Sequence, residues 1–157
     1  MRLFWRLRQE DGAQLVEFAL VLPLLLFVVL GIAEFGIIFQ RYEVVTNAAR
    51  EGARLAVLPG YDSVAAEGAI RARVRAYVQA ARVPITAGTP PASIVAVDIV
   101  NGTIALGGGL PAVNIKRCTV TYTHRYTFLP SMASWFGFTY TTVPLTAVSE
   151  MRTEGGG

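Results

Sequence analysis

Glu17 stands at the mouth of a long apolar run, and it is the first side chain whose type and place could do chemistry. A charged group at the centre of a membrane helix costs about 2.5–3.5 kcal/mol on insertion scales, and less near an end, so an acid in such a run is a functional group by default. It lies five residues past Gly12, in Gly12-Ala13-Gln14-Leu15-Val16-Glu17-Phe18. Other reactive side chains are scarce. His124 is the single histidine and Cys118 the single cysteine. On one strand they would sit about 20 Å apart at roughly 3.3 Å per residue, too far to act as a dyad within one chain. Asp98, Cys118 and His124 show no metal-ligand spacing, and neither a glycine-rich phosphate loop nor a nucleophile elbow is present. The expectation is a non-enzymatic chain with no catalytic residues, no cofactor and no metal.

The elements that would hold Glu17 follow from the apolar pattern. No residue from Phe18 to Ala33 is charged, and continuing to Phe39 gives 22 residues, enough for a tilted helix across ~30 Å of hydrocarbon. Pro23 falls in the first turns of that span, where its missing N–H is best tolerated. Glu34 and Glu43 are placed at or beyond the outer boundary. Arg2, Arg6 and Arg8 precede the span, whereas Arg41 is offset by Glu34 and Glu43, which puts the N-terminus in the cytoplasm and the C-terminal body outside. At 53% hydrophobic content and a mean hydropathy of +0.45 the chain is too apolar for an ordinary soluble domain, yet only one run is long enough for a bilayer. A net charge of +3 on 14 basic and 11 acidic residues gives no reason to expect nucleic-acid binding. A lone cysteine makes no internal disulfide. The competing reading of the N-terminus is a cleavable secretory signal ending at the small residues Gly31 and Ala33; against it, apolar residues continue through Phe35, Ile37, Ile38 and Phe39.

Beyond the span, helix formers and the absence of proline predict that the helix continues from Arg41 to Leu58, until Pro59-Gly60 stops it. Ala48, Gly52 and Ala56 recur at i, i+4 and i+8, with Ala49 and Ala53 beside them, a smooth stripe suited to close packing. A second helix reads from Ser63 to about Ala81, capped by Asp62 or Ser63. Its apolar side is Val64, Ala72, Val74, Tyr77, Val78 and Ala81, and Arg71, Arg75 and Arg82 share a face that is solvated or, alternatively, touches anionic headgroups or an acidic partner. Pro84 to Pro91 reads as a linker. Ile94 to Val100 and Thr103 to Leu106 flank Asn101-Gly102, a hairpin signal that also explains the sequon at Asn101 without glycosylation. From Ile115 to Phe128 residues alternate, with Cys118, Val120, Tyr122, His124, Tyr126 and Phe128 on one face and Arg117, Thr119, Thr121, Thr123, Arg125 and Thr127 on the other. Pro130 to Phe138 is a loop carrying Trp135, Phe136 and Phe138, and Tyr140 to Arg152 is a last strand. The fold class is α+β: a long N-terminal transmembrane helix running into a small domain with a second helix and an antiparallel sheet.

Three stretches now carry a resemblance. Gly12-Ala13 followed by Glu17-Phe18 resembles the processing site of type IV prepilins. With Asn47-Ala48-Ala49-Arg50-Glu51-Gly52-Ala53-Arg54, the most specific of the three, and Ser149-Glu150-Met151-Arg152 near the end, the chain resembles the TadE-like family of minor pilins or pseudopilins of the tight-adherence (Tad, Flp) pilus. The likeness covers residues 10–58 well and the sheet only in general pattern. It implies a pilin-like fold with a leader at 1–12, a helix at 13–58 spanning the membrane at about 18–39, and an extracytoplasmic domain at 59–157. It implies cleavage between Gly12 and Ala13 by a prepilin peptidase and assembly on an inner-membrane platform, with another minor pilin and the major Flp-type pilin as partners. An initiating or tip role in adherence and biofilm formation is expected from the size of the body. Cleavage would leave an α-amine on Ala13, and Glu17 could pair with the amine of a neighbour and fix axial register. Alternatively Glu17 snorkels to the headgroup boundary. The other function class left open is a membrane-anchored or secreted binding module that uses the Trp135, Phe136 and Phe138 loop.

Overall fold

The structure is a computed structural model describing residues 3–61, 63–81, 83, 95–108, 111–134, 137, 139 and 141–153, with residues 3–11, 64 and 132 described by backbone alone. Its elements in chain order are α1 (Leu3–Ala56), α2 (Val64–Ala80), β1 (Val95–Ile104), β2 (Val113–Arg125), α3 (Leu129–Ala133) and β3 (Thr142–Arg152). The fold is α+β, with a long apolar N-terminal helix, a second helix and a three-stranded antiparallel sheet in the order β1-β2-β3. Two compact units divide the chain: Met1–Ile37 with Tyr126–Thr141, and Ile38–Arg125 with Thr142–Gly157. Both contain part of α1.

The second unit holds the core. Rows across the sheet are Val95–Tyr122–Leu145, Val97–Val120–Ala147 and Ile99–Cys118–Ser149, and these side chains are buried or half-buried. Apart from Ser149, they belong to or pack against the cluster that holds Val45, Ala48, Ala49, Ala53 and Ala56 of α1 and Ile70, Val74 and Val78 of α2. Helices therefore cover one sheet face. The opposite face stays open, with Asp98, Val100, Arg117, Thr146, Val148 and Glu150 exposed. Period-2 alternation in β2 is what sorts the two sides, since a half-covered sheet needs one apolar and one polar face. On the open face Arg117 and Glu150, directly opposite in register, pair at 2.5 Å.

Four expectations are corrected. The Asn101-Gly102 pair is not a hairpin turn: β1 runs straight through it, pairing Asn101 with Lys116 and Gly102 with Ile115. Gly102 serves close packing instead, since a Cβ there would lie 3.3 Å from Ile115 Cγ1. The chain reverses later, beyond Ile104, where Gly107 and Gly108 adopt φ of +74° and +61°. On α2 the buried stripe is Ile70, Val74 and Val78 at i, i+4 and i+8, whereas Ala72, Tyr77 and Ala81 are exposed; the sheet sees only a narrow side of this helix. Third, β2 stops at Arg125, and Tyr126 and Phe128 leave its alternation. Fourth, Pro23 lies in the interior of α1, because the helix begins at Leu3, well before the apolar run. A proline there removes one i→i−4 hydrogen bond.

The helix ends follow ordinary chemistry. Leu58 N–H donates to Leu55 O, Tyr61 N–H donates to Leu58 O, and Gly60 takes φ +89°, so Pro59-Gly60 turns the chain where expected. Ser63 caps α2, its Oγ accepting from Ala66 N–H at 3.2 Å. Asp62, Arg82, the Pro84–Pro91 linker, Trp135, Phe136 and Phe138 lie outside the described residues.

Candidate functional site

Gly12, Ala13, Glu17 and Phe18 all lie on α1 and are exposed. Gly12 has no structural need to be glycine: a Cβ built on it meets no atom within 4 Å, and its backbone is helical. The exposed apolar side chains that follow include Leu15, Val16, Leu20, Leu24 and Phe27. This part of α1 is long and apolar enough to cross a membrane, and its most apolar window is wholly unburied within the chain. An apolar helix segment with no fully buried residue in its most apolar window needs lipid or other helices around it.

The block from Asn47 to Arg54 divides cleanly by burial. Ala48, Ala49, Gly52 and Ala53 face the core, while Asn47, Arg50 and Arg54 are exposed and Glu51 is half-buried. Gly52 is the tightest point. A Cβ on it would lie 2.5 Å from Cys118 Sγ and 2.9 Å from Val74 Cγ2, so α1, α2 and β2 meet at a residue that must lack a side chain. On the outer side Arg54 makes a bidentate pair with Glu51 at 2.9 and 3.0 Å. The hydrogen bond from Arg54 holds the Glu51 carboxyl below its ordinary range. An exposed pair of this kind adds little stability. The motif is thus a packing device on one side and a charged rim on the other.

Two buried polar groups sit outside the sequence motifs. His124, fully buried on β2, is held at Nδ1 by the Arg41 guanidinium of α1. Glu34, also fully buried, accepts three hydrogen bonds from main-chain N–H groups: Thr127 at 2.9 and 3.0 Å and Phe128 at 2.7 Å. Those partners are more than 90 residues away in the chain. Position at the end of the apolar run was the single signal that marked Glu34, and it carries no information about such a partner. Among the described residues no group of three His, Cys, Asp or Glu is placed to hold a metal ion.

Residues 12–54 match the family model of the TadE-like proteins. That segment is similar to the TadE-like proteins. The match begins at Gly12 and ends at Arg54, taking in Glu17 and the whole Asn47–Arg54 block. No curated protein and no solved structure matches the chain. The TadE-like segment corresponds to the apolar helix and the small-residue face on which the sheet packs; β1, β2 and β3 lie outside it.

Cys118 reports on that packing. Burial, with a smaller contribution from Asp98, pushes its thiol up to about 11. It should therefore resist a thiol-specific reagent at pH 8 until the protein is denatured. Because the folded value lies above the unfolded one, the associated stability is complete below about pH 9 and is lost as pH rises through 11. Rapid labelling of Cys118 in the folded chain at pH 8 would contradict the packing.

Proposed function

We propose that the chain is a minor pilin or pseudopilin that acts in assembling a Tad/Flp pilus, at initiation or at the tip, and so serves adherence and biofilm formation. It works from the bacterial cytoplasmic membrane as a single-pass protein, N-terminus inside and sheet domain outside. A prepilin peptidase cuts between Gly12 and Ala13, and the mature chain associates with another minor pilin, the major Flp-type pilin and the inner-membrane platform. The TadE-like match over residues 12–54 carries this reading, supported by a helix whose Glu17 and Phe18 are exposed amid mostly exposed apolar side chains. An exposed carboxylate in that setting gains by meeting a cation on another subunit, and cleavage supplies one as the Ala13 amine.

Glu17→Ala tests it. Insertion becomes easier and cleavage is untouched, but the amine of the neighbour loses its carboxylate. A hydrogen bond to a charged group contributes about 1.5–3 kcal/mol, so co-purification of the partner pilins should fall by roughly tenfold or more. Wild-type recovery of those partners, together with wild-type piliation, would reduce Glu17 to an interfacial side chain.

A further inference from the structure

We propose that the turn Tyr126–Phe128, which opens the segment 126–141, is a membrane-interface anchor, seated on the outer part of the apolar helix by the carboxylate of Glu34, and that its occupant is the lipid interface. Three observations converge. The segment and Met1–Ile37 form one compact unit. Within it Glu34, in the otherwise apolar stretch from Phe18 to Phe39, is fully buried and takes both carboxylate oxygens to the N–H groups of Thr127 and Phe128. By sequence the segment has no charged residue in 16, and its two aromatics among the described residues, Tyr126 and Phe128, flank Thr127 at the contact.

Each half of the Glu34 contact removes the other's cost. A carboxylate in a membrane helix needs donors, and main-chain N–H groups outside regular structure need an acceptor wherever water is scarce. Glu34 lies five residues before Phe39, about 7.5 Å at 1.5 Å per residue, which sets the contact just under the outer boundary of the span. That is the depth at which aromatic side chains concentrate, having an apolar body and, in Tyr and Trp, a polar tip. Phe128, next to the contact, is 37% exposed although large and apolar. Continuity with the apolar surface of α1 favours lipid over a separate protein partner. The inference shares with the proposed function only the membrane span, and needs neither cleavage nor pilus assembly.

The test uses the full chain in phosphatidylcholine vesicles. Phe128→Trp, in a background where Trp5 and Trp135 are both changed to Phe, leaves one fluorophore at the contact. Lipids brominated near the headgroup end of the acyl chain should remove most of its fluorescence, deeply brominated lipids less, and aqueous iodide little. Adding Glu34→Leu should reverse the pattern, with lipid quenching lost and iodide quenching gained. Glu34→Gln, which keeps one acceptor oxygen, should fall between. Protection of the Cys118 thiol in each variant shows that the sheet domain remains folded. Quenching by iodide in the Glu34 background would mean a water-facing loop, and quenching by neither reagent would mean a protein-covered one; both overturn the proposal. Lipid quenching that Glu34→Leu leaves unchanged overturns the role of the carboxylate as the tether.

Discussion

Gly52→Leu should unfold the sheet domain well before wild type while leaving the membrane helix in place. The site has no room even for a methyl group, because a Cβ would stand 2.5 Å from Cys118 Sγ and 2.9 Å from Val74 Cγ2. Both neighbours are fully buried, one on β2 and one on α2, so neither can swing into solvent. Overpacking of a filled core typically costs about 1–3 kcal/mol and sometimes more. For a body of roughly 100 residues each kcal/mol shifts the midpoint by about 4–8 °C. The measurement is a thermal melt of the full chain in detergent followed by the sheet signal, with Cys118 labelling at pH 8 as a local probe. Gly68→Ala is the matched control. It replaces another helical glycine, on the exposed side of α2, with nothing within 4 Å of the added Cβ. Alanine is favoured over glycine in a helix by about 1 kcal/mol, so the control should melt slightly higher. If both variants melt like wild type, the small-residue face of α1 does not pack against β2 and α2.

That contrast shows where sequence reasoning reached and where it stopped. Ala48, Gly52 and Ala56 could be read as a close-packing stripe because a helix repeats every 3.6 residues, so residues four apart share a face. Cys118, Val120, Tyr122 and His124 could be read as one buried face because a strand repeats every two. Both periods are local properties, written in neighbouring residues. Asn101-Gly102 failed for the opposite reason: its turn preference is real, but pairing across ten residues of β2 overrides it, and Ile115 fills the space over Gly102. Likewise nothing near Glu34 announces Thr127 and Phe128, and nothing near His124 announces Arg41. Contacts between side chain and distant backbone leave no periodic trace. The candidate site divides in the same way, with the Asn47–Arg54 block legible as a motif and its separation into packed and charged sides visible only in three dimensions.

Gly12→Val should abolish maturation, and Gly12→Ala should impair it, although neither harms the fold. Glycine has no packing or conformational task at this position. Its backbone is helical, no atom lies within 4 Å of a built Cβ, and its place inside α1 is one where glycine weakens the helix by about 1 kcal/mol relative to alanine. Packing and backbone geometry therefore do not require it, and in the proposed function its role is recognition by the peptidase. A peptidase must draw an extended backbone into its cleft, so the helix has to open at the scissile bond. Glycine both eases that opening and presents no side chain to the cleft. Alanine restores helix propensity and adds a methyl group; valine adds branching at the point of closest approach. N-terminal sequencing and gel mobility of the protein from a strain with its prepilin peptidase decide the matter. Wild type should begin at Ala13, and the valine variant should retain all 12 leader residues. A mature Ala13 terminus in Gly12→Val would show that cleavage ignores this glycine, and would remove the processing step from the proposed function while leaving the Glu34 anchor untouched.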